Sequence, residues 1–425
     1  MDVDIGIVVK NGSKLVDSFV KGYCELEFQP VLDEFLKNFS QRQELGASLC
    51  ITIGGATLVD IWGGAKVSER STSTPDPDPW LEDTISVVFS CTKAATALCA
   101  HMLIDQGKLD LHAPVADYWP EFASNGKEAA TVSMILNHSV GVPALRETVK
   151  QGGFYDWDYM VDRLAREEPF WKPGTRSGYH MTTFGWTVGE LVRRVSGQSL
   201  GTYFRDHVAL PLGLDFSIGL PDAEFERVSR VQRWRPEKGQ KPAPYTHALL
   251  NAPGSLQFKA LLNTGGFKTD APESYRAEYG AGGGIGNARS LAGMYTPLAN
   301  GGEHGGVRLL SADHIEKMSA VSMATEIDAT LLMPSRFSLG YMRSMDNRHR
   351  PSGAMESCIM GKDAFGHAGA GGSIGFADPE ARLAFGYSMN RMGAGILLNE
   401  RGQSLVDACY RSIGYRTNSV GYWIR

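Results

Sequence analysis

The sequence predicts an α+β protein: a discontinuous α/β domain formed by residues 1–110 and 305–425, with a mostly helical domain with long loops, 111–304, inserted between its halves. Three observations lead there. β-branched, alternating runs occur near both ends of the chain and are scarce between them, where short helical patterns dominate. A strongly helical, apolar segment at 91–106 marks a buried central helix. Glycine, 49 of 425 residues against a usual ~7%, has no fixed period and implies many tight turns or close backbone approaches.

Taken in order, residues 25–45 place Phe28, Val31, Leu32, Phe35, Leu36 and Phe39 at three-to-four spacing, an amphipathic helix. Ser48–Ile61 is rich in Ile, Val, Leu and Thr around Gly54-Gly55, which predicts two antiparallel strands joined by a glycine turn. Residues 70–80, RSTSTPDPDPW, read as a surface loop. In the insert the clearest helical pieces are 131–138, 184–197 and 288–302. Strand patterns return at 337–344, 371–380 and 383–392, and 404–413 predicts a closing helix.

Acidic residues number 47 and basic residues 42, a net charge of −5 that gives no support to a nucleic-acid partner. The six cysteines, Cys24, Cys50, Cys91, Cys99, Cys358 and Cys409, form neither a CxxC pair nor a disulfide framework. The amino terminus lacks a basic n-region followed by an apolar h-region, and no stretch reaches the ~18 apolar residues of a membrane helix. These features point to a cytoplasmic protein without membrane insertion. The ten histidines show no H-E-x-x-H or ligand-like spacing, and neither a Walker loop nor a dinucleotide fingerprint is present, so no metal and no cofactor is expected.

The chemistry concentrates in three stretches. VVFSCTK (87–93) puts Ser90 where an apolar run meets the strong helix, with Lys93 one turn later on the same face. A serine hydroxyl needs a base within hydrogen-bond reach, and a lysine serves if burial lowers its pKa. The helix N-terminus offers free N–H groups to an oxyanion. In isolation the same four letters also describe an N-cap serine and a lysine in solvent. Tyr179 follows a Pro-Gly turn and precedes a helix; a phenol near a lysine can take the serine proton and return one to a leaving group, although a single tyrosine taken alone reads first as half-buried and structural, and it is the pairing with Ser90 that matters. FGHAGAGGSIGFADPE (365–380) holds five glycines between 366 and 375, which lets a strand edge approach a substrate and present a backbone N–H. His367 is the polar side chain there, positioned to meet a substrate carbonyl or Tyr179, or merely structural. Gly371, Ser373 and Gly375 spell G-x-S-x-G, but the elbow motif needs a helix after the serine, and a strand pattern follows.

The ordered set SCTK (90–93), NHSVGVP (137–143), PGTRSGY (173–179), GGGIGNARSLAGMY (282–295) and 365–380 resembles the serine beta-lactamase and penicillin-binding-protein superfamily, most closely its family VIII carboxylesterases, over about 25–415. The resemblance implies a beta-lactamase/transpeptidase-like α/β sandwich, an antiparallel sheet flanked by helices with an inserted helical domain. It implies that Ser90 is the acylated nucleophile, Lys93 its activating partner, Tyr179 the general base and then acid, and the N–H groups of Ser90 and Ala370 the oxyanion hole.

Departures from the pattern carry information. Where class C enzymes have Tyr-x-Asn, this chain has Tyr179, His180 and Met181. Where they have Lys-Thr-Gly, it has His367, Ala368 and Gly369, losing the ammonium expected to meet a substrate carboxylate. A more apolar site follows, with His180, Met181, His367 and Gly369 expected at the substrate, and short to medium-chain carboxylic esters as the small-molecule substrates. The rival readings are a beta-lactamase or D-Ala peptidase, a transacylase with an acceptor other than water, and a member that has lost catalysis and binds or scaffolds. Trp157, Trp171 and Trp186 are candidates for a pocket wall but read first as core.

Overall fold

The structure, a computed structural model, describes residues 19–67, 78–234, 244–350 and 356–425. After a 3-10 turn at Leu26–Phe28, the amphipathic stretch forms helix α1 (Gln29–Gln41), burying Val31, Leu32 and Phe35. Strands β1 (Val20–Cys24), β2 (Gly46–Ile53) and β3 (Ala56–Lys66) follow the expected hairpin, with Gly54 and Gly55 at φ +59° and +88° in its turn. Such angles favour residues without a Cβ. Of the loop expected at 70–80, residues 70–77 lie outside the described residues, and β4 (Asp78–Pro79) pairs with β3.

The C-terminal part contributes β5 (Met323–Thr325), β6 (Ser335–Phe337), β7 (Met342–Arg343), β8 (Phe365–Ala368), β9 (Ile374–Asp378) and β10 (Leu383–Met389). Among the described residues these ten strands make one antiparallel sheet, ordered β1-β3-β2-β10-β9-β8-β7-β6-β5 with β4 beside β3. The join between the chain's two ends is β2 against β10, where Leu383 to Met389 run opposite Ile53 to Ala47. The strand expected at 337–344 is broken into β6 and β7, because the chain turns at Gly340, whose φ is +91°. The strand expected from 371 begins at Ile374, with the residues before it forming a glycine turn.

Side-chain alternation along β2 explains the layers. Leu49 and Ile51 join the buried cluster under α1 and a C-terminal helix, α5 (Glu400–Ser412), whereas Cys50 on the other face meets Ala288 and Ala292. Those alanines belong to α4 (Ala288–Ala299), which lies on the sheet although its sequence falls inside 111–304. The central helix α2 (Cys91–Asp105) buries residues around nearly its whole circumference and packs against α3 (Phe184–Ser196). All-round burial fits its lack of a polar face. The helix expected at 131–138 shortens to Val132–Leu136, and His138 takes φ +66°. No helix among the described residues is long and apolar enough to cross a membrane.

Candidate active site

A second, four-stranded sheet delivers the serine. Its strand Ile85–Val87 lies between Ile285–Gly286 and Val228–Ser229, and Val88 N–H donates to Gly284 O at 3.0 Å. The chain then turns sharply: Phe89 has φ +49°, a left-handed conformation unusual for a bulky residue. Thr92 Oγ1 fixes this turn, donating to Phe89 O at 2.6 Å and accepting from Gly284 N at 2.8 Å. Ser90 therefore occupies the N-cap position of α2, yet its hydroxyl makes no capping bond. It is free for Lys93, whose Nζ lies 3.2 Å away.

Lys93 is wholly buried, so it is not the solvent lysine that the motif alone also allows. Its Nζ donates to Met181 O at 2.7 Å and Ala281 O at 2.8 Å. Burial drives its pKa well below the usual lysine range, and among the described residues no carboxylate pairs with it. Its third polar contact is to the serine, Nζ donating to Ser90 Oγ at 3.2 Å.

Tyr179 closes the group. Its ring lies 4.9 Å from Lys93 Nζ and is stacked on Phe337 at 5.4 Å with 2° between planes. Burial pushes the phenol well above its usual pKa, while a hydrogen bond with the Ser90 side chain pulls the other way. Burial therefore favours the uncharged form of both side chains.

The glycine-rich stretch lies across the helix N-terminus. Cys91 Sγ donates to His367 O at 3.1 Å, tying α2 to β8. A Cβ on Gly369 would stand 2.3 Å from Val88 O, so only glycine permits this approach. The next residue, Ala370, borders a cavity of about 340 Å³ together with Ser90, Tyr179 and Met181. Neither the Ser90 nor the Ala370 amide donates to another described residue, which leaves two N–H groups beside the serine. Phe89, Leu261, Phe267, Tyr279 and Ile396 give the cavity an apolar wall, and Arg233 is its one charged lining residue among those described.

The other expected contacts lie elsewhere. His180, expected at the substrate, does not line the cavity: one ring nitrogen meets Gly178 O at 2.7 Å and the other accepts from Val142 N at 3.0 Å. His367 is buried behind Tyr179, its Nδ1 at 2.8 Å from Ala368 O and its Nε2 at 3.4 Å from the Tyr179 hydroxyl. Burial takes both histidines down to about 3, so neither carries charge to a substrate at neutral pH. Gly369 is not among the residues lining the cavity. Trp157, Trp171 and Trp186 do not border this cavity. Ser373 is buried and precedes β9, not a helix. Phe89 and His138 lie inside the stretches 87–93 and 137–143 but were not singled out, and Asp328 and Phe337 carried no motif; a positive φ or a partner about 150 residues away in sequence leaves no local signal.

Comparisons with known proteins agree on a relationship over most of the chain. A family model described as Beta-lactamase matches residues 28–405. The esterase/beta-lactamase LipL of Mycobacterium tuberculosis (strain ATCC 25618 / H37Rv) is 33% identical over 387 residues, covering 90% of this chain and 85% of that protein. The crystal structure of a family VIII carboxylesterase superposes with a TM-score of 0.80 at 37% identity, covering 92% of this chain and 99% of the other. A penicillin-binding-protein homologue from Caulobacter crescentus gives 0.79 at 33% identity over 93% and 100%.

Proposed function

Because the chain belongs to the beta-lactamase family and is a serine hydrolase of its esterase-like kind, we propose that it hydrolyses short to medium-chain carboxylic esters through an acyl-enzyme on Ser90. The observation that carries this reading is Ser90 Oγ at 3.2 Å from the wholly buried Lys93, at the wall of an apolar cavity of about 340 Å³. In the proposed sequence the Lys93 amine takes the Ser90 proton as Oγ attacks the ester carbonyl. The developing oxyanion receives the N–H groups of Ser90 and Ala370. The bond to the alcohol breaks, Tyr179 protonates the departing oxygen, and the Lys93 ammonium restores the Tyr179 proton. Water then gives a proton to the same pair, attacks the acyl carbon, and Ser90 Oγ leaves with that proton, so charge and protons balance over the cycle.

This division of labour shifts the first proton abstraction from Tyr179 to Lys93, because burial favours the uncharged form of each. Uncharged esters are favoured over beta-lactams or D-Ala peptides because His367 stands where the superfamily's Lys-Thr-Gly lysine would meet a carboxylate, and it is held uncharged with its Nε2 toward Tyr179. An acyl acceptor other than water is the second reading, since the cavity borders Ser90 directly.

The test is hydrolysis of p-nitrophenyl acetate, butyrate and octanoate beside nitrocefin, by wild type, Ser90→Ala and Ser373→Ala. Ester turnover that disappears in Ser90→Ala, survives in Ser373→Ala and exceeds nitrocefin turnover is the expected result. Full activity in Ser90→Ala ends the proposal, and preferential nitrocefin hydrolysis replaces it with the beta-lactamase reading.

A further inference from the structure

Asp328 is a fully buried carboxylate for which, among the described residues, no cation forms an ion pair. Burying a charge this way is costly unless hydrogen bonds replace water. Neutral donors do so here. Its Oδ1 accepts from Tyr179 N at 3.0 Å, Thr330 N at 2.9 Å and Leu331 N at 2.9 Å. Its Oδ2 accepts from Ser335 Oγ at 3.0 Å, from Tyr179 N at 3.1 Å and, at the limit of 3.5 Å, from Ser177 Oγ. One side chain thus gathers its own turn and, from a distant part of the chain, the backbone of the tyrosine at the site. The link is reinforced where Ala329 N donates to Ser177 O at 3.0 Å.

The same segment also reaches the tyrosine ring. Two residues beyond Ser335, Phe337 stacks on Tyr179 with its plane parallel to within 2°. The opposite approach is taken by His138, edge-on at 4.9 Å. Tyr179 sits on irregular backbone that helical hydrogen bonds do not fix, so its position depends on these contacts. We propose that Asp328 is a positioning residue for the reaction: by accepting the Tyr179 N–H while organising the turn that leads to Phe337, it holds the phenol in register with Ser90 and Lys93. The inference rests on the proposed roles of Ser90 and Tyr179.

The ionisable groups facing Tyr179 are Lys93, His138, His367, Tyr279, Cys91 and Asp328. Burial holds both histidines uncharged, and Asp328 opposes formation of a phenolate nearby.

The experiment is a double-mutant cycle on p-nitrophenyl butyrate with wild type, Asp328→Asn, Tyr179→Phe and the double variant, with rates normalised to sites titrated by a fluorophosphonate and folding checked by thermal melting. Asp328→Asn is expected to lower kcat about ten- to hundredfold with KM nearly unchanged, and to add nothing in the Tyr179→Phe background. Equal losses in both backgrounds, or a loss confined to KM, overturn the proposal. Where Asp328→Asn does not fold, Ser335→Ala takes its place in the cycle; a fall of about threefold in kcat that vanishes beside Phe at 179 supports the proposal, and a loss that persists there overturns it. If Ser90→Ala or Tyr179→Phe retains full activity, the reading of the site fails first, an outcome distinct from a failed cycle.

Discussion

Ser90 and Lys93 lie one turn apart at the start of one helix, whereas Tyr179 reaches them from irregular backbone 86 residues past Lys93. The first pair is held by α2, whose own hydrogen bonds fix three-residue spacing whatever surrounds it. The tyrosine is held from outside, by Asp328 at its amide and Phe337 and His138 at its ring. The contrast teaches that the two halves of the proposed catalytic group have different vulnerabilities. The helical half fails when its own side chains change; the loop half also fails when distant supports change.

The largest effects belong to the helical half. Ser90→Ala is expected to lower ester turnover by at least about a thousandfold, and Lys93→Arg to do nearly the same, because a guanidinium stays protonated and cannot accept the serine proton. Steady-state kinetics on p-nitrophenyl butyrate checks both, and retention of activity in Lys93→Arg removes the amine from the mechanism. Tyr179→Phe follows, with a kcat loss of about 10²–10⁴-fold. Gly369→Ala is expected to cost about 10²–10³-fold in kcat: its Cβ meets Val88 O at 2.3 Å and pushes the Ala370 amide away from Ser90. Unchanged kcat there would take the Ala370 N–H out of the oxyanion hole.

A thermodynamic test isolates Lys93 from catalysis. Burial lowers its folded-state pKa, so between that value and the ordinary lysine pKa the unfolded chain binds the extra proton. Wild-type stability therefore gains with rising pH relative to Lys93→Met, by about 1.4 kcal/mol per unit within that window. Urea unfolding of both proteins at pH 7 and 9 reads the difference; parallel stabilities at the two values contradict a neutral Lys93. The smallest catalytic effect is expected of His180→Ala, which leaves Val142 N–H without its acceptor and costs about 1–3 kcal/mol of stability while KM stays unchanged. A raised KM would return His180 to the substrate.

Some of this was legible because it is local. The spacing of Phe28, Val31, Leu32 and Phe35 marked α1, Gly54-Gly55 marked the first hairpin, and Ser90 with Lys93 stood out as one turn of an apolar helix. Other features were misplaced because short patterns do not report register or turns. The run 337–344 looked like one strand but bends at Gly340, and His180 looked available although backbone groups occupy both its nitrogens.

The sequence by itself determined the elements whose periodicity repeats within a few residues, and the ordered motifs that mark a beta-lactamase relative. Tertiary structure alone decided that β2 and β10 meet, that Lys93 is buried between two carbonyls, and that Asp328 lies against Tyr179. Those facts depend on contacts between segments separated by some 90 to 340 residues. A pKa, a cavity wall or a carboxylate's partners arise from what surrounds a side chain in space, and the order of residues along the chain fixes that only through the completed fold.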